Sequence, residues 1–163
     1  NSYDVVILDD VTEGAAQTVL TAKDLINDDT PLMTMNSDQL VEWDVVDLFE
    51  DCKRFDALIP CFYGEGNAWS YARCGQDGYV EEVAEKKQIS EYATAGYYYW
   101  SKGSDFVKYA EQMIEDNSRT NGEFYVAPVY NWAIKDGKKI GVFMVDKLHS
   151  LGTPEDLKEY LNG

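Results

Sequence analysis

Three short clusters hold the residue types that could do chemistry. Asn36-Ser37-Asp38-Gln39 follows an apolar run at 32–35. A lone carboxylate at a strand end suits Mg2+, which takes one or two carboxylates and fills its shell with water and phosphate oxygens. The plainer alternative is a turn or helix-capping aspartate. Glu13-Gly14-Ala15-Ala16 opens a helical stretch. Small residues there let a ligand approach the backbone, whose free N–H groups attract anions or base edges. An ordinary helix start that carries a glycine reads the same way. Val83-Ala84-Glu85-Lys86 is the third cluster. Neighbours on a strand point to opposite faces, so Glu85 and Lys86 reach one ligand only if the chain turns between them. The lysine could then neutralise a phosphate and the carboxylate accept two sugar hydroxyls. A solvated charge pair is the alternative.

Such residues need elements to position them. Residues 5–8 (Val-Val-Ile-Leu) read as a buried strand, and the spacing of Val19, Leu20, Leu25 and Ile26 predicts a helix capped near Thr12. A strand at 31–35 follows. Next comes a helix at 44–52 with Val45, Val46, Leu48 and Phe49 turned inward, then a strand at 57–62. Alternating strands and helices point to a parallel sheet with helices packed on it. The middle differs: 69–73 and 79–84 flank Gly75-Gln76-Asp77-Gly78, a hairpin signal. A tyrosine-rich strand is expected at 93–100, helices at 106–115 and 124–134, and a strand at 140–145. The last helix, 154–161, has Thr153 as N-cap and Pro154 at its first position. With no repeat, low-complexity tract or linker, residues 1–163 read as one mixed α/β domain, its ligand site at the carboxyl ends of the strands.

The totals set limits. Hydrophobic residues make up 45 % of 163 residues, enough for a packed core. The formal net charge of −16 repels nucleic acid and anionic membrane, so neither is expected as a partner. Anionic substrates would need local cations, backbone N–H groups or a metal to bind in this field. Cys52, Cys61 and Cys74 show no CxxC spacing and read as free thiols of a cytoplasmic protein, with a zinc site disfavoured because His149 is the only histidine. No signal peptide or ~20-residue apolar span is visible.

Taken in order, the clusters resemble one family. Glu13-Gly14-Ala15-Ala16, Asn36-Ser37-Asp38-Gln39, Trp69-Ser70-Tyr71, Glu85-Lys86, Ala95-Gly96-Tyr97-Tyr98, Asn121-Gly122-Glu123-Phe124-Tyr125 and Leu151-Gly152-Thr153-Pro154-Glu155-Asp156-Leu157 together look like the sugar nucleotidyltransferase pattern. The capsule and lipopolysaccharide type is the nearest flavour. The resemblance runs from Tyr3 to Leu161 and rests on order and spacing rather than on any one motif. It implies a three-layer α/β/α, Rossmann-like nucleotide-diphospho-sugar transferase (GT-A-like) fold with a mixed, mostly parallel sheet.

The resemblance also implies a reaction. A sugar 1-phosphate attacks the α-phosphorus of a nucleoside triphosphate and pyrophosphate leaves, a step that depends on positioning and charge neutralisation. Carried over by motif, Gly14, Ala15 and Ala16 would lie beside the base. Asp38 would hold Mg2+, Glu85 would grip sugar hydroxyls and Lys86 the sugar phosphate. Gly96 would leave room for the sugar, and Glu123 would support the sugar side. Asp38 and Lys86 would then be the catalytic residues. Two departures stand out. Ser150, preceded by His149, occupies the place where many members carry a second metal-binding aspartate. The family's first strand, its glycine-rich loop with an arginine and the Pro-Lys segment after it have no counterpart in these residues. The expectation is therefore an N-terminally truncated form, inactive by itself, with an exposed sheet edge that could make a homo-oligomer. Two other readings share the residues: an inactive module binding sugar phosphate or nucleotide or serving as an interaction domain, and a glycosyltransferase of the same fold.

Overall fold

The computed structural model describes residues 3–162. Its centre is β3 (Ala57–Tyr63), a run of Ala-Leu-Ile-Pro-Cys-Phe-Tyr whose first five residues are buried. Period-two alternation sends successive side chains to opposite faces. Ala57, Ile59 and Cys61 enter the larger core, while Leu58 enters a smaller one on the far side. The neighbouring strand β7 (Tyr97–Trp100) divides in the same way: Tyr98 and Trp100 face the large core and Tyr99 the small one.

The large core is closed by α4 (Gly103–Glu115), by a 3-10 turn (Ala127–Val129) and by α5 (Tyr130–Lys135). Trp100 stacks on Tyr130 at 4.4 Å and also meets Phe106 and Tyr109 of α4. Aromatic pairs of this kind add about 0.5–1.5 kcal/mol beyond their burial. The small core holds α3 (Val45–Cys52) through Leu48 and Cys52. Asp44 caps α3 by accepting from the N–H groups of Val46 at 2.8 Å and Asp47 at 3.2 Å, an arrangement typically worth about 1 kcal/mol. Helices on both faces of a sheet give the three-layer mixed α/β architecture the sequence implied.

The pairing corrects the expected mostly parallel sheet. In the main sheet β3 runs parallel only to β8 (Ile140–Met144). The other ladders are antiparallel: β1 (Leu32–Met35) with β7, β3 with β6 (Tyr92–Thr94) and with β7, and β4 (Ser70–Cys74) with β5 (Val80–Glu85) and with β6. Antiparallel neighbours need only short turns, whereas a parallel pair needs a crossover. The turn at 75–79 joins β4 to β5, whereas β6 and β7 do not pair with each other: both lie antiparallel to β3 and follow one another along it across Ala95-Gly96. The one long crossover, which contains α4 and α5, returns β8 beside β3.

Other differences are local. Residues 5–8 form no strand: Val5 is 72 % and Ile7 83 % exposed, because no described strand lies alongside to take their backbone groups. The expected helix after Thr12 is two short ones, α1 (Ala15–Leu20) and α2 (Lys23–Ile26), with Gly14 rather than Thr12 at the N-cap. The expected helix at 124–134 starts late. The Phe124 N–H donates to the Glu13 carbonyl at 2.8 Å, and its C=O accepts from Ala16 at 2.9 Å, so residue 124 is a bridge to the start of α1. On α3, Val45, Val46 and Phe49 are exposed rather than inward.

A second, two-stranded sheet was not foreseen: β2 (Gln39–Glu42) pairs antiparallel with β9 (Lys147–Ser150), and α6 (Pro154–Asn162) follows it. At one sheet margin Asn131 of α5 mimics a strand, accepting from the Val83 N–H at 2.9 Å and donating to its C=O at 2.7 Å. At the other margin β1 pairs only with β7 among the described residues, which leaves its outer edge open.

Candidate functional site

Glu85 ends β5, and Lys86 takes φ 53°, a left-handed conformation uncommon in non-glycine residues. That is the turn the adjacent pair required. The Lys86 N–H donates to the Trp69 carbonyl at 3.0 Å, which pins the turn to the start of β4. Glu85 accepts a hydrogen bond from Ser70, its register partner on β4. Burial pushes the Glu85 carboxyl above the usual range, against the Ser70 hydrogen bond and the Lys86 charge, which pull it down. Beneath it Tyr98 is buried and shares a 3.0 Å hydrogen bond with Thr94; burial drives its phenol up to about 12. The Ser70 hydrogen bond is what orients the Glu85 carboxylate.

The Lys86 ammonium donates to the Tyr125 hydroxyl at 2.7 Å and stands 4.8 Å from the Tyr125 ring centre. The Tyr125 hydrogen bond raises the Lys86 pKa first, with Glu85 and Glu123 adding to it. Glu85, Lys86 and Glu123, expected on the sugar side, are therefore brought into one electrostatic cluster. The neighbouring cation Arg119 is committed elsewhere: it pairs with Glu13, donates to the Gly122 carbonyl at 2.9 Å and covers the Phe124 ring at 4.0 Å.

Asp38 lies exposed between β1 and β2. Its carbonyl accepts from the Leu151 N–H at 2.8 Å, and the β2–β9 register sets Gln39 opposite Ser150. A Cβ added at Gly152 would stand 2.9 Å from an Asp38 carboxylate oxygen, so glycine makes room for that carboxylate. The structure thus puts Asp38 beside Ser150. The Ser150 hydroxyl donates to Asp156 at 3.1 Å, and Asp156 also accepts from the Thr153 N–H at 3.2 Å. His149 is tied away: its Nε2 lies 2.7 Å from Glu42, and its ring meets Tyr160 edge-on at 5.0 Å. These two residues, with Asp156, line a hollow of about 460 Å3 between β9 and α6, apart from the Glu85–Lys86 cluster.

No cluster of three or more His, Cys, Asp or Glu suited to a metal exists among the described residues. One exposed carboxylate fits the sparse protein coordination that Mg2+ accepts when phosphates and water complete its shell.

Gly96 joins the two regions. At φ 75° its carbonyl accepts from the Asn36 N–H at 2.9 Å, and a Cβ there would overlap the Gln39 amide oxygen. The space beside it is therefore taken by the loop that carries Asp38. Gly14 is also packed: a Cβ would meet the Phe124 backbone at 2.5–2.9 Å. Ala16 is fully buried and Ala15 exposed. The smallness of Gly14 thus serves the bridge to Phe124, next to Glu123 and Tyr125. Sequence reasoning assigned no role to Ser70, Thr94, Tyr98, Tyr125 or Gly152. The Trp-Ser-Tyr and Gly-Tyr-Tyr runs were visible, but the Ser70 contact crosses from β4 to β5 and could not be paired by inspection.

The family model for nucleotidyl transferases matches residues 4–161 of the chain. The nucleoside-diphosphate-sugar pyrophosphorylase of Vibrio cholerae RC9 superposes with a TM-score of 0.81 at 23 % identity, over 96 % of this chain and 68 % of that one. A UDP-glucose pyrophosphorylase complexed with UDP-glucose gives 0.72 at 17 % identity, over 92 % and 61 %. HddC of Yersinia pseudotuberculosis, complexed with GMP-PN, gives 0.63 at 16 % identity, over 94 % and 63 %. The chain thus spans about two thirds of the length of these structures. No curated protein matches it.

Proposed function

The chain belongs to the nucleotidyl transferase family, and from that premise we propose that its residues form the sugar-phosphate side of an enzyme joining a sugar 1-phosphate to a nucleoside triphosphate. The observation that carries this reading is the turn at Lys86, which sets a lysine and a half-buried carboxylate side by side in an otherwise acidic protein. Glu85, aimed by Ser70, would accept hydrogen bonds from sugar hydroxyls. Lys86 would bind the sugar phosphate and hold its oxygen for attack on the α-phosphorus. Glu123 would support the sugar, and Gly96 would hold the Asp38 loop against that side.

Gly14, Ala15 and Ala16 would border the base, next to the Phe124 bridge. Asp38 would hold Mg2+, which would supply neutralisation of charge on the phosphates. Ser150 would leave Asp38 the main protein ligand, its own hydroxyl being engaged by Asp156. The products would be nucleotide sugars for surface glycans made in the cytoplasm. The 163 residues contain no glycine-rich loop with an arginine to grip a triphosphate, so by themselves they bind the sugar phosphate without turning it over. The open β1 edge supports pairing with a second copy.

Calorimetric titration of the chain with a panel of hexose 1-phosphates and the matching free hexoses tests the reading. A 1-phosphate should bind at least tenfold more tightly than its free sugar. Lys86→Met should erase that preference. Equal affinity in the parent chain, or a preference that survives Lys86→Met, refutes it. If nothing binds, the chain carries no sugar-phosphate site.

A further inference from the structure

Lys86 is exposed on a mobile four-carbon stem, and such a side chain loses conformational entropy whenever it grips a ligand. Here the ammonium has been fixed in advance. Tyr125 accepts one of its three N–H donors at 2.7 Å and presents its ring to the charge at 4.8 Å. Two donors stay available for an anion. Tyr125 is itself held from behind. Arg119 donates to Asn117 at 2.7 Å and to the Gly122 carbonyl at 2.9 Å, and covers Phe124. Asn121 and Gly122 both have positive φ, which closes the tight Thr120–Glu123 turn. Phe124, only 1 % exposed, is locked to Glu13 and Ala16 by backbone hydrogen bonds. The residue after it therefore has little freedom.

We propose that Tyr125 is the positioning residue for Lys86, holding the ammonium in the place where it receives the phosphate of the substrate. This rests on the sugar-phosphate reading of Lys86. Tyr125 acts through the lysine, by hydrogen bond and by ring, and makes no bond to the reacting atoms. The raised pKa of Lys86, due first to the Tyr125 hydroxyl, is the titration counterpart of the same contact. Glu85 and Glu123 face the ammonium as well and keep it charged, but neither is bonded to it among the described residues.

The test uses the whole chain with 13C-labelled lysine, inorganic phosphate as the probe, and three variants: Tyr125→Phe, Tyr125→Leu and Lys86→Met. The Lys86 εCH2 signal is followed through its pH titration and through phosphate addition. Tyr125→Phe keeps the ring and should lower the Lys86 pKa toward the ordinary lysine value. It should also weaken phosphate binding about fivefold, equivalent to about 1 kcal/mol, the usual net worth of one hydrogen bond. Tyr125→Leu should weaken it further. A Tyr125→Phe variant with the parent's Lys86 titration and phosphate affinity overturns the inference, and with Lys86→Met still abolishing binding it leaves the substrate reading standing. If the parent's Lys86 signal does not respond to phosphate, the substrate reading fails first and the positioning role with it. A fold defect would be recognised by displaced signals of the core residues, and the Phe variant, which retains the packing ring, decides the question if the Leu variant does not fold.

Discussion

Gly14→Ala isolates the packing of a residue expected beside the base. Gly14 has φ 135° and ψ 170°, a region open essentially to glycine alone. Placing alanine there costs about 1–3 kcal/mol in backbone strain. The new Cβ would also meet the oxygen, nitrogen and carbonyl carbon of Phe124 at 2.5, 2.6 and 2.9 Å, backbone atoms that have no flexible end to swing aside. Relieving that overlap separates Glu13 and Ala16 from Phe124 and breaks two hydrogen bonds of 2.8 and 2.9 Å, at about 1 kcal/mol each. The total is about 3–5 kcal/mol, a fall in Tm on the order of 10 °C for a domain of this size. Gly137→Ala is the matched control: its φ is also positive, at 79°, but nothing lies within 4 Å of the added carbon. It should cost only about 1–2 kcal/mol. Urea unfolding followed by tryptophan fluorescence measures both. If Gly14→Ala costs no more than Gly137→Ala, the Gly14–Phe124 apposition is not what holds this segment and the packing argument is wrong.

Two further outcomes follow from the site. Burial raises the Glu85 carboxyl, so the folded chain holds that proton more tightly than the unfolded chain; this favours folding below the raised pKa and opposes it above. Glu85→Gln should therefore raise Tm near neutral pH, with the gain vanishing below about pH 4 as the parent carboxyl is protonated, and should abolish binding of a free sugar; a variant less stable than the parent at neutral pH contradicts the assignment. Incubated with Mg2+, any nucleoside triphosphate and any sugar 1-phosphate, the 163 residues should release no pyrophosphate, and turnover above background in a coupled pyrophosphate assay overturns the claim that the triphosphate side needs more than these residues supply.

Local signals in the sequence translated directly. The Asp77-Gly78 hairpin, the Asp44-capped helix and the apolar strands at the centre of the sheet all formed within a residue or two of where spacing put them. Non-local pairing was not legible. β2 and β9 are far apart in the chain and short, and neither is a continuous apolar run. The Val5–Leu8 run has strand composition, yet composition cannot supply the neighbour that a strand requires. Phe124 sits in a helical pattern, but a backbone bridge to Glu13 takes its hydrogen-bonding groups first. The same division holds at the site. Glu85 and Lys86 stood out as a pair, whereas Ser70 and Tyr125, which aim them, are named only by contacts between residues distant in the chain.

Whether the turn at Lys86 is the sugar-phosphate site can be read from the amide shifts of the 15N-labelled chain on titration with hexose 1-phosphates. The largest changes should fall at Ser70, Glu85, Lys86, Glu123 and Tyr125, with saturation. Shifts confined to the hollow lined by Glu42, His149 and Tyr160, or scattered without saturation, would contradict it.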